Sequence, residues 1–169
     1  MRVSFVLPVS ADRLYRAWLD PKEHGAFTGA GVTSTAKAGG KFSTFDGYAS
    51  GKYTELVPAE RIVMSWRASD FPEGAPDSRV EVLFQPASGG TRVTILHAEL
   101  PPGTEEQFRK GWRRYYETPM RAHFRAAQAG AVEAETAEPA PAPKRASRVA
   151  RPKAAAPRAG APTSKRRGS

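Results

Sequence analysis

The sequence predicts an α+β domain in which an antiparallel sheet packs one face against a long C-terminal helix. Between residues 32 and 97, short segments alternate apolar and polar residues with the two-residue period of strands, and turn residues separate them. After residue 104, apolar residues repeat every three or four positions, as on one face of a helix. A sheet and a helix that are each apolar on one side must bury those sides together.

The N-terminal segment predicts one strand followed by two short helices. Residues 2–7 alternate as a strand, and Ser10 then caps a helix. Asp20 caps the second helix, with Pro21 at its first position and Glu23 completing a capping box. Because this second helix is short and placed at the surface, His24 is expected to be an ordinary surface residue.

Turn signals divide the central region into strands. Asp46-Gly47 is a strong hairpin signal, because both central positions of such a turn need a positive φ. Pro72, Gly74 and Pro76 mark a loop over residues 68–77. The predicted strands span residues 32–35, 41–45, 48–57, 61–67, 79–85 and 91–97.

The last element predicts one long helix with an aromatic face. Thr104 and Gln107 form a capping box at its start. Pro119 inside the helix removes a backbone donor and predicts a kink, and Gly130 is a natural place for the helix to end. The apolar stripe consists of Phe108, Trp112, Tyr115, Tyr116, Met120 and Phe124.

The composition changes after residue 129, which predicts one folded domain over 1–129 and a disordered tail over 130–169. Ala, Pro, Lys and Arg dominate the tail, and it has no aromatic residue with which to build a core. Its nine basic residues against three acidic ones predict sequence-independent affinity for nucleic acid or other polyanions. A purely solubilising tail is the alternative. The basic residues are Lys144, Arg145, Arg148, Arg151, Lys153, Arg158, Lys165, Arg166 and Arg167.

Several classes of protein are disfavoured. The chain has no cysteine, and its three histidines do not follow a metal-ligand spacing, so neither a metal nor another cofactor is expected. No apolar run approaches the roughly 20 residues of a membrane span, so stable membrane insertion is not expected. The missing cysteines fit a reducing compartment, and we expect the protein to be cytoplasmic.

A series of widely separated residues resembles one known family. The chain is similar, over roughly residues 2–128, to the family named for activators of the heat shock protein 90 ATPase, which belongs to the START-like (SRPBCC) superfamily. The resemblance implies a helix-grip fold, with a curved sheet around the last helix and a cavity between them. The residues that carry it are Gly51, Tyr53, Glu55, Pro58, Ser65, Trp66, Gly89, Gly90, Thr91, His97, Gly111, Trp112, Tyr115 and Tyr116.

The resemblance implies that a small hydrophobic or aromatic molecule binds between the sheet and the C-terminal helix. Such pockets are mostly apolar, with a few placed polar groups. Filling of the core is the simpler alternative for each side chain, because aromatic stripes at helical spacing are usually buried. The candidate ligand-binding residues are Tyr53, Met64, Trp66, Phe84, Ile95, Phe108, Trp112, Tyr115 and Met120.

Glu55 and His97 are the weak candidates for a catalytic role. Glu55 shares a strand face with Tyr53, and His97 shares one with Val93 and Ile95. If both faces point inward, a carboxylate and an imidazole in one pocket could transfer protons. The alternative is that Glu55 pairs with an arginine or caps a loop, and that His97 is a structural histidine at the end of a strand.

Three functions therefore remain open at this point. The first is a ligand-binding module, which the aromatic stripe and the implied cavity favour. The second is a chaperone-associated module that interacts with a protein partner, as the family name implies. The third is an enzyme resembling the cyclases, aromatases or hydrolases of the superfamily, which would need an acid–base pair.

Overall fold

The computed structural model describes the backbone of residues 1–136 and the side chains of residues 1–129. The described part begins with a strand and two helices, continues through six strands and ends in a long helix. The strands are β1 (Arg2–Leu7), β2 (Thr33–Ser34), β3 (Lys41–Thr44), β4 (Ala49–Val57), β5 (Arg61–Ala68), β6 (Ser78–Ala87) and β7 (Gly90–Ala98). The helices are α1 (Ala11–Leu19), α2 (Pro21–Thr28), α3 (Glu105–Trp112), a π-helical turn (Arg113–Glu117) and α4 (Thr118–Thr136).

The strands form one curved antiparallel sheet in the order β1-β7-β6-β5-β4-β3-β2. Strands β2 to β7 each pair with their neighbours in sequence, whereas β1 pairs with β7. α3, the π-helical turn and α4 form the continuous C-terminal helix, which the sheet grips. The α+β helix-grip fold expected from the sequence is therefore confirmed.

The core lies between the inner face of the sheet and the helices. Each central strand contributes alternate side chains, as the two-residue period requires. Burying the side chain of a valine, leucine or isoleucine stabilises the fold by roughly 1.5–3 kcal/mol. The completely buried aliphatic residues of the sheet are Leu7, Ile62, Val80, Val82, Val93 and Ile95.

Side-chain caps position the first two helices. Ser10 Oγ accepts a hydrogen bond from the Arg13 amide at 3.3 Å, and Asp20 Oδ1 accepts one from the Glu23 amide at 2.8 Å. The placement of His24 differs from the sequence prediction, because the side chain is 2% exposed. α2 packs against the C-terminal helix, and this contact covers the side of α2 that was expected to face solvent.

A bulge in β4 determines where Glu55 points. Tyr53 pairs with Met64, and Glu55 pairs with Val63, so Thr54 is an extra residue in the ladder. Tyr53 stays on the inner face, whereas Glu55 turns to the outer face and forms an ion pair with Arg61. The expectation that Glu55 and Tyr53 share a face is therefore wrong, because the bulge interrupts the alternation.

The C-terminal helix departs from α geometry in the turn that precedes Pro119. The Thr118 amide donates to the Arg113 carbonyl, an i to i−5 bond, so the chain forms a π-helical turn. Tyr116 is buried, but Tyr115 is 48% exposed, and the expected stripe is therefore wrong for Tyr115. The backbone also remains helical past Gly130 to Thr136, because the alanines around Gly130 favour a helix.

Candidate ligand-binding groove

An open groove of about 830 Å³ lies between the tip of the β3–β4 hairpin and the C-terminal helix. The hairpin supplies Phe45 and Tyr48, and β5 supplies Trp66. The helix supplies the rest of the wall, mostly from α3 and the π-helical turn. The helix residues are Gln107, Phe108, Lys110, Gly111, Trp112, Arg114, Tyr115 and Tyr116.

Packed aromatic rings build the inner wall of this groove. The centroid of Trp66 lies 5.5 Å from that of Phe108 and 6.0 Å from that of Trp112. Trp112 in turn lies 4.6 Å from Tyr116. Aromatic pairs at these separations attract each other beyond the area they bury, so the wall is rigid and apolar.

The hairpin tip forms the opposite side of the groove. Phe45 has a φ of 53°, which an aromatic residue rarely adopts, and its ring lies 5.7 Å from Tyr115 and 5.6 Å from Tyr116. The Tyr48 hydroxyl donates to the carboxylate of Asp70 at 3.1 Å. Burial, together with this carboxylate, raises the pKa of Tyr48 to about 12. Tyr48 is therefore a neutral phenol at the edge of the groove.

Gly111 opens the middle of the helical side. A Cβ atom at this position would meet no other atom within 4 Å, so a larger side chain would extend into the open space of the groove. The groove thus owes part of its width to the absence of a side chain on one helix residue.

A chain of hydrogen bonds in the core holds the Trp112 ring in place. The Trp112 indole N–H donates to Nδ1 of His97 at 3.0 Å, and the His97 Nε2–H donates to Ser78 Oγ at 2.8 Å. The Ser78 hydroxyl donates to the Trp66 carbonyl at 2.7 Å. This order determines the histidine tautomer, because an indole can only donate and a carbonyl can only accept.

A second buried histidine fixes Tyr116 in the same way. The Tyr116 hydroxyl donates to Nε2 of His24 at 3.2 Å, and the His24 Nδ1–H donates to the Trp18 carbonyl at 2.7 Å. Burial lowers the pKa of His24 to about 4 and that of His97 to about 3, so both rings are neutral. The polar ends of Trp112 and Tyr116 therefore point into the core.

The rim of the groove on the helical side is positively charged. Lys110 and Arg114 lie four residues apart and both line the groove. The Arg114 guanidinium lies over the Tyr115 ring, 5.4 Å from its centroid. Lys110 lies 3.9 Å from a carboxylate oxygen of Glu106. The groove combines an apolar interior with cationic groups along one edge.

The candidate ligand-binding residues fall into two groups. Trp66, Phe108, Trp112 and Tyr115 line the groove. The others are buried away from it, because the sheet and the helix close tightly along most of their contact and separate only near the β3–β4 hairpin. These core residues are Tyr53, Met64, Phe84, Ile95 and Met120.

The hairpin side and the cationic rim of the groove are not among the residues predicted from the sequence. The signal for the hairpin was present, since Phe45 and Tyr48 flank the Asp46-Gly47 turn and a hairpin tip is too short to bury two aromatic rings. Lys110 and Arg114 lie among other charged residues of the helix, as on any solvated helix face, so the sequence carries no separate signal for the rim.

Glu55 and His97 do not form an acid–base pair. Glu55 lies on the outer face of the sheet, whereas His97 is 1% exposed and turned toward the helix. His97 uses both ring nitrogens in the hydrogen bonds to Trp112 and Ser78. The placement of both residues matches the structural alternatives weighed for them.

Two other features concern only the part of the chain that the structure describes. No group of three or more acidic or histidine side chains there could hold a metal ion. None of the described helices is long and apolar enough to cross a membrane. The nine basic residues from Lys144 to Arg167 lie outside the described residues.

Comparison with known families identifies the domain. The family model described as activator of Hsp90 ATPase homolog 1-like protein matches residues 8–125. The chain belongs to this family.

Curated relatives agree with this assignment. The human activator of 90 kDa heat shock protein ATPase homolog 1 is 39% identical over 107 residues, which cover 63% of this chain and 31% of the human protein. Mouse homolog 2 is 29% identical over 116 residues, covering 69% of this chain and 35% of the mouse protein. The chain thus spans about a third of the length of these relatives.

Solved structures show the same fold. A crystal structure of an HSP90 activator from Plasmodium falciparum superposes with a TM-score of 0.66 at 24% identity, covering 72% of this chain and 93% of that one. A protein from Chromobacterium violaceum superposes with a TM-score of 0.58 at 28% identity, covering 73% and 95%.

Proposed function

We propose that this domain binds a small hydrophobic or aromatic molecule in the groove. The proposal rests on the position of the exposed apolar surface. Among the side chains that the structure describes, Tyr48 and Tyr115 are the two large hydrophobic ones that are exposed, at 38% and 48%, and both line the groove. Apolar surface concentrated at one concave site indicates binding.

The dimensions and chemistry of the groove fit this role. Ligand pockets typically occupy roughly 300–1,000 Å³ and are mostly apolar, and this groove has about 830 Å³. A flat molecule would contact Trp66, Phe108 and Trp112 on the inner wall, with Tyr48 and Tyr115 at its edges. This concentration of aromatic rings favours an aromatic or polycyclic ligand.

Native mass spectrometry of the full chain, purified gently from its own host, tests the proposal. We expect an additional mass that is lost on denaturation. Gly111→Leu should remove it, because the new side chain enters the groove without displacing a core atom. Gly111→Ala is the matched control and should keep the additional mass. A bare wild-type protein that no apolar compound stabilises would overturn the proposal.

A second candidate is a chaperone-associated role, which the relatives' names support. A curated relative at 39% identity is named as an activator of the 90 kDa heat shock protein ATPase. We propose that this domain contacts such a chaperone in the cytoplasm through its charged surface and not through the groove.

Calorimetric titration with purified heat shock protein 90, together with its ATPase rate, tests the second candidate. Binding should be equal for the wild type and Gly111→Leu, since a surface contact does not depend on the groove. If neither protein binds the chaperone, this candidate fails and the ligand-binding proposal is unaffected.

We further propose that the basic tail binds polyanions without reading sequence. The proposal rests on the nine Lys and Arg residues between 144 and 167. Titration with duplex DNA at several salt concentrations tests it. About six phosphate contacts would give a log–log salt slope near −5. Replacing the nine residues by Gln should abolish binding, and equal binding by that variant would refute the role of the tail.

A further inference from the structure

We infer that the ligand of the groove carries an anionic group and that Arg114, assisted by Lys110, holds this group at the rim on the helical side. The inference rests on the proposed ligand-binding function and adds the chemical class of the ligand. An apolar groove alone would accept any flat hydrophobic molecule. Its charged edge is what would select among them.

Arg114 is an unpaired arginine of the C-terminal helix that lines the groove, whereas Arg113 and Arg125, also without an ion pair among the described residues, do not line it. Arg109 pairs with Glu106, and Arg121 pairs with Glu117 at 3.0 Å. Arg114 lines the groove and forms no ion pair with any residue whose side chain the structure describes. Its positive charge at the groove is therefore not neutralised by a neighbouring carboxylate.

The guanidinium of Arg114 is also held beside the groove. It lies over the Tyr115 ring, 5.4 Å from the centroid. It donates no hydrogen bond to a residue that the structure describes, so its N–H groups are free to bind a ligand. Their forked arrangement matches a carboxylate, a sulfonate or a phosphate.

The charges around the groove would also orient such a ligand. Asp70 lies on the hairpin side, where it accepts the hydrogen bond from Tyr48, and it would repel an anion placed there. Glu106 lies 3.9 Å from Lys110 and offsets part of its charge, so Arg114 should contribute more than Lys110. The anionic group should therefore lie at the helix, with the apolar body between the rings.

Two fluorescent probes that differ by one group test the inference directly. Anilinonaphthalene sulfonate carries a sulfonate on an aromatic body, and phenylnaphthylamine is its uncharged parent. We expect the wild-type full chain to bind the sulfonate about tenfold more tightly at low salt, as one charge-assisted contact at a partly exposed site would give. Fluorescence titration measures both dissociation constants.

Variants assign the preference to individual residues. Arg114→Gln should bring the two affinities close together, and Lys110→Gln should reduce the preference less. Arg113→Gln is the matched control, because Arg113 is the adjacent cation and does not line the groove. A preference that survives Arg114→Gln would overturn the assignment, whether or not Arg113→Gln removes it.

The outcomes separate this inference from the proposed function. Equal binding of both probes, with loss of both in Gly111→Leu, would overturn the anionic ligand while supporting the groove as a binding site. If neither probe binds, or if Gly111→Leu binds both as well as the wild type does, the proposed function fails and the inference fails with it.

Discussion

Two buried histidines hold the aromatic wall of the groove in place. His97 accepts a hydrogen bond from Trp112, and His24 accepts one from Tyr116. The second nitrogen of each ring donates to an acceptor in the core, so neither ring can rotate without breaking both bonds. Protonation would turn the accepting nitrogen into a donor. This would break the bond from the Trp112 indole, which can only donate, whereas the Tyr116 hydroxyl could reorient and accept.

This arrangement predicts that stability falls between pH 7 and pH 5. Burial lowers the folded-state pKa from 6.5 to about 4 for His24 and to about 3 for His97. Their contribution is therefore complete above pH 6.5 and is lost as the pH falls toward those folded values, because the unfolded chain binds protons first. We expect the free energy of unfolding in urea to decrease by about 2 kcal/mol per histidine over this interval.

Single variants test whether these histidines cause the effect. His24→Gln and His97→Gln should each remove about half of the pH dependence, whatever their effect on stability at pH 7. Gln128→Ala is the control, because it changes an exposed residue that has no titratable group, and its pH dependence should match that of the wild type. A slope that is unchanged in both of the first two variants would contradict the assignment.

At the scale of the element, Gly111 weakens the C-terminal helix in order to open the groove. Glycine in a helix interior costs about 1 kcal/mol relative to alanine, and a Cβ atom at residue 111 meets nothing. We expect Gly111→Ala to raise the free energy of unfolding by about 0.5–1 kcal/mol. Chemical denaturation at pH 7 measures this, and a destabilised variant would show that the helix is tighter at Gly111 than the structure indicates.

The π-helical turn accounts for the spacing of the aromatic stripe. Phe108, Trp112, Tyr116, Met120 and Phe124 are buried at intervals of four residues. On an α-helix, four residues overshoot one turn by about 40°, so the stripe would drift away from the core. The wider π turn corrects part of this drift.

Deleting Tyr115 should therefore convert the π turn to an α turn without unfolding the domain. The interval from Trp112 to the following tyrosine becomes three residues, which fits an α-helix. We expect helical circular dichroism to be retained and stability to change by less than about 1 kcal/mol. Binding of aromatic probes should fall, because one exposed ring of the groove is gone. An unfolded deletion variant would contradict this account.

The same elements show what the sequence could and could not predict. Periodicity and turn residues were sufficient for the strands and helices, because these are local signals. The capping box predicted at Thr104 is wrong, because the Thr104 hydroxyl donates to the Pro101 carbonyl instead of accepting from the helix. The extra residue Thr54 has no local signature, and Pro119 signals an irregularity in the helix without specifying the π turn at Arg113–Glu117. Each of these features moved a candidate residue, Glu55 or Tyr115, to another face. The burial of His24 depends on contact with a distant helix, which periodicity does not report.

At the scale of the whole molecule, occupancy of the groove should stabilise the entire domain. The groove joins the hairpin, β5 and the C-terminal helix, so a ligand that binds there binds only the folded chain. At a free concentration one hundred times its dissociation constant, such a ligand adds about 2.7 kcal/mol to the free energy of unfolding. We expect thermal unfolding of the wild type to shift upward by several degrees with a bound aromatic probe. Gly111→Leu should show no shift, and an equal shift in that variant would place the probe elsewhere.

The hydrogen bond between Trp112 and His97 also gives the domain an internal spectroscopic reporter. The indole proton of Trp112 is held at a histidine nitrogen in the core, while the ring it belongs to forms part of the groove. Its NMR resonance should be separate from those of Trp18 and Trp66, and its exchange with solvent should be slow. A molecule that enters the groove would shift this resonance by ring current, and a break of the bond would restore fast exchange. One proton can thus report both events without a label.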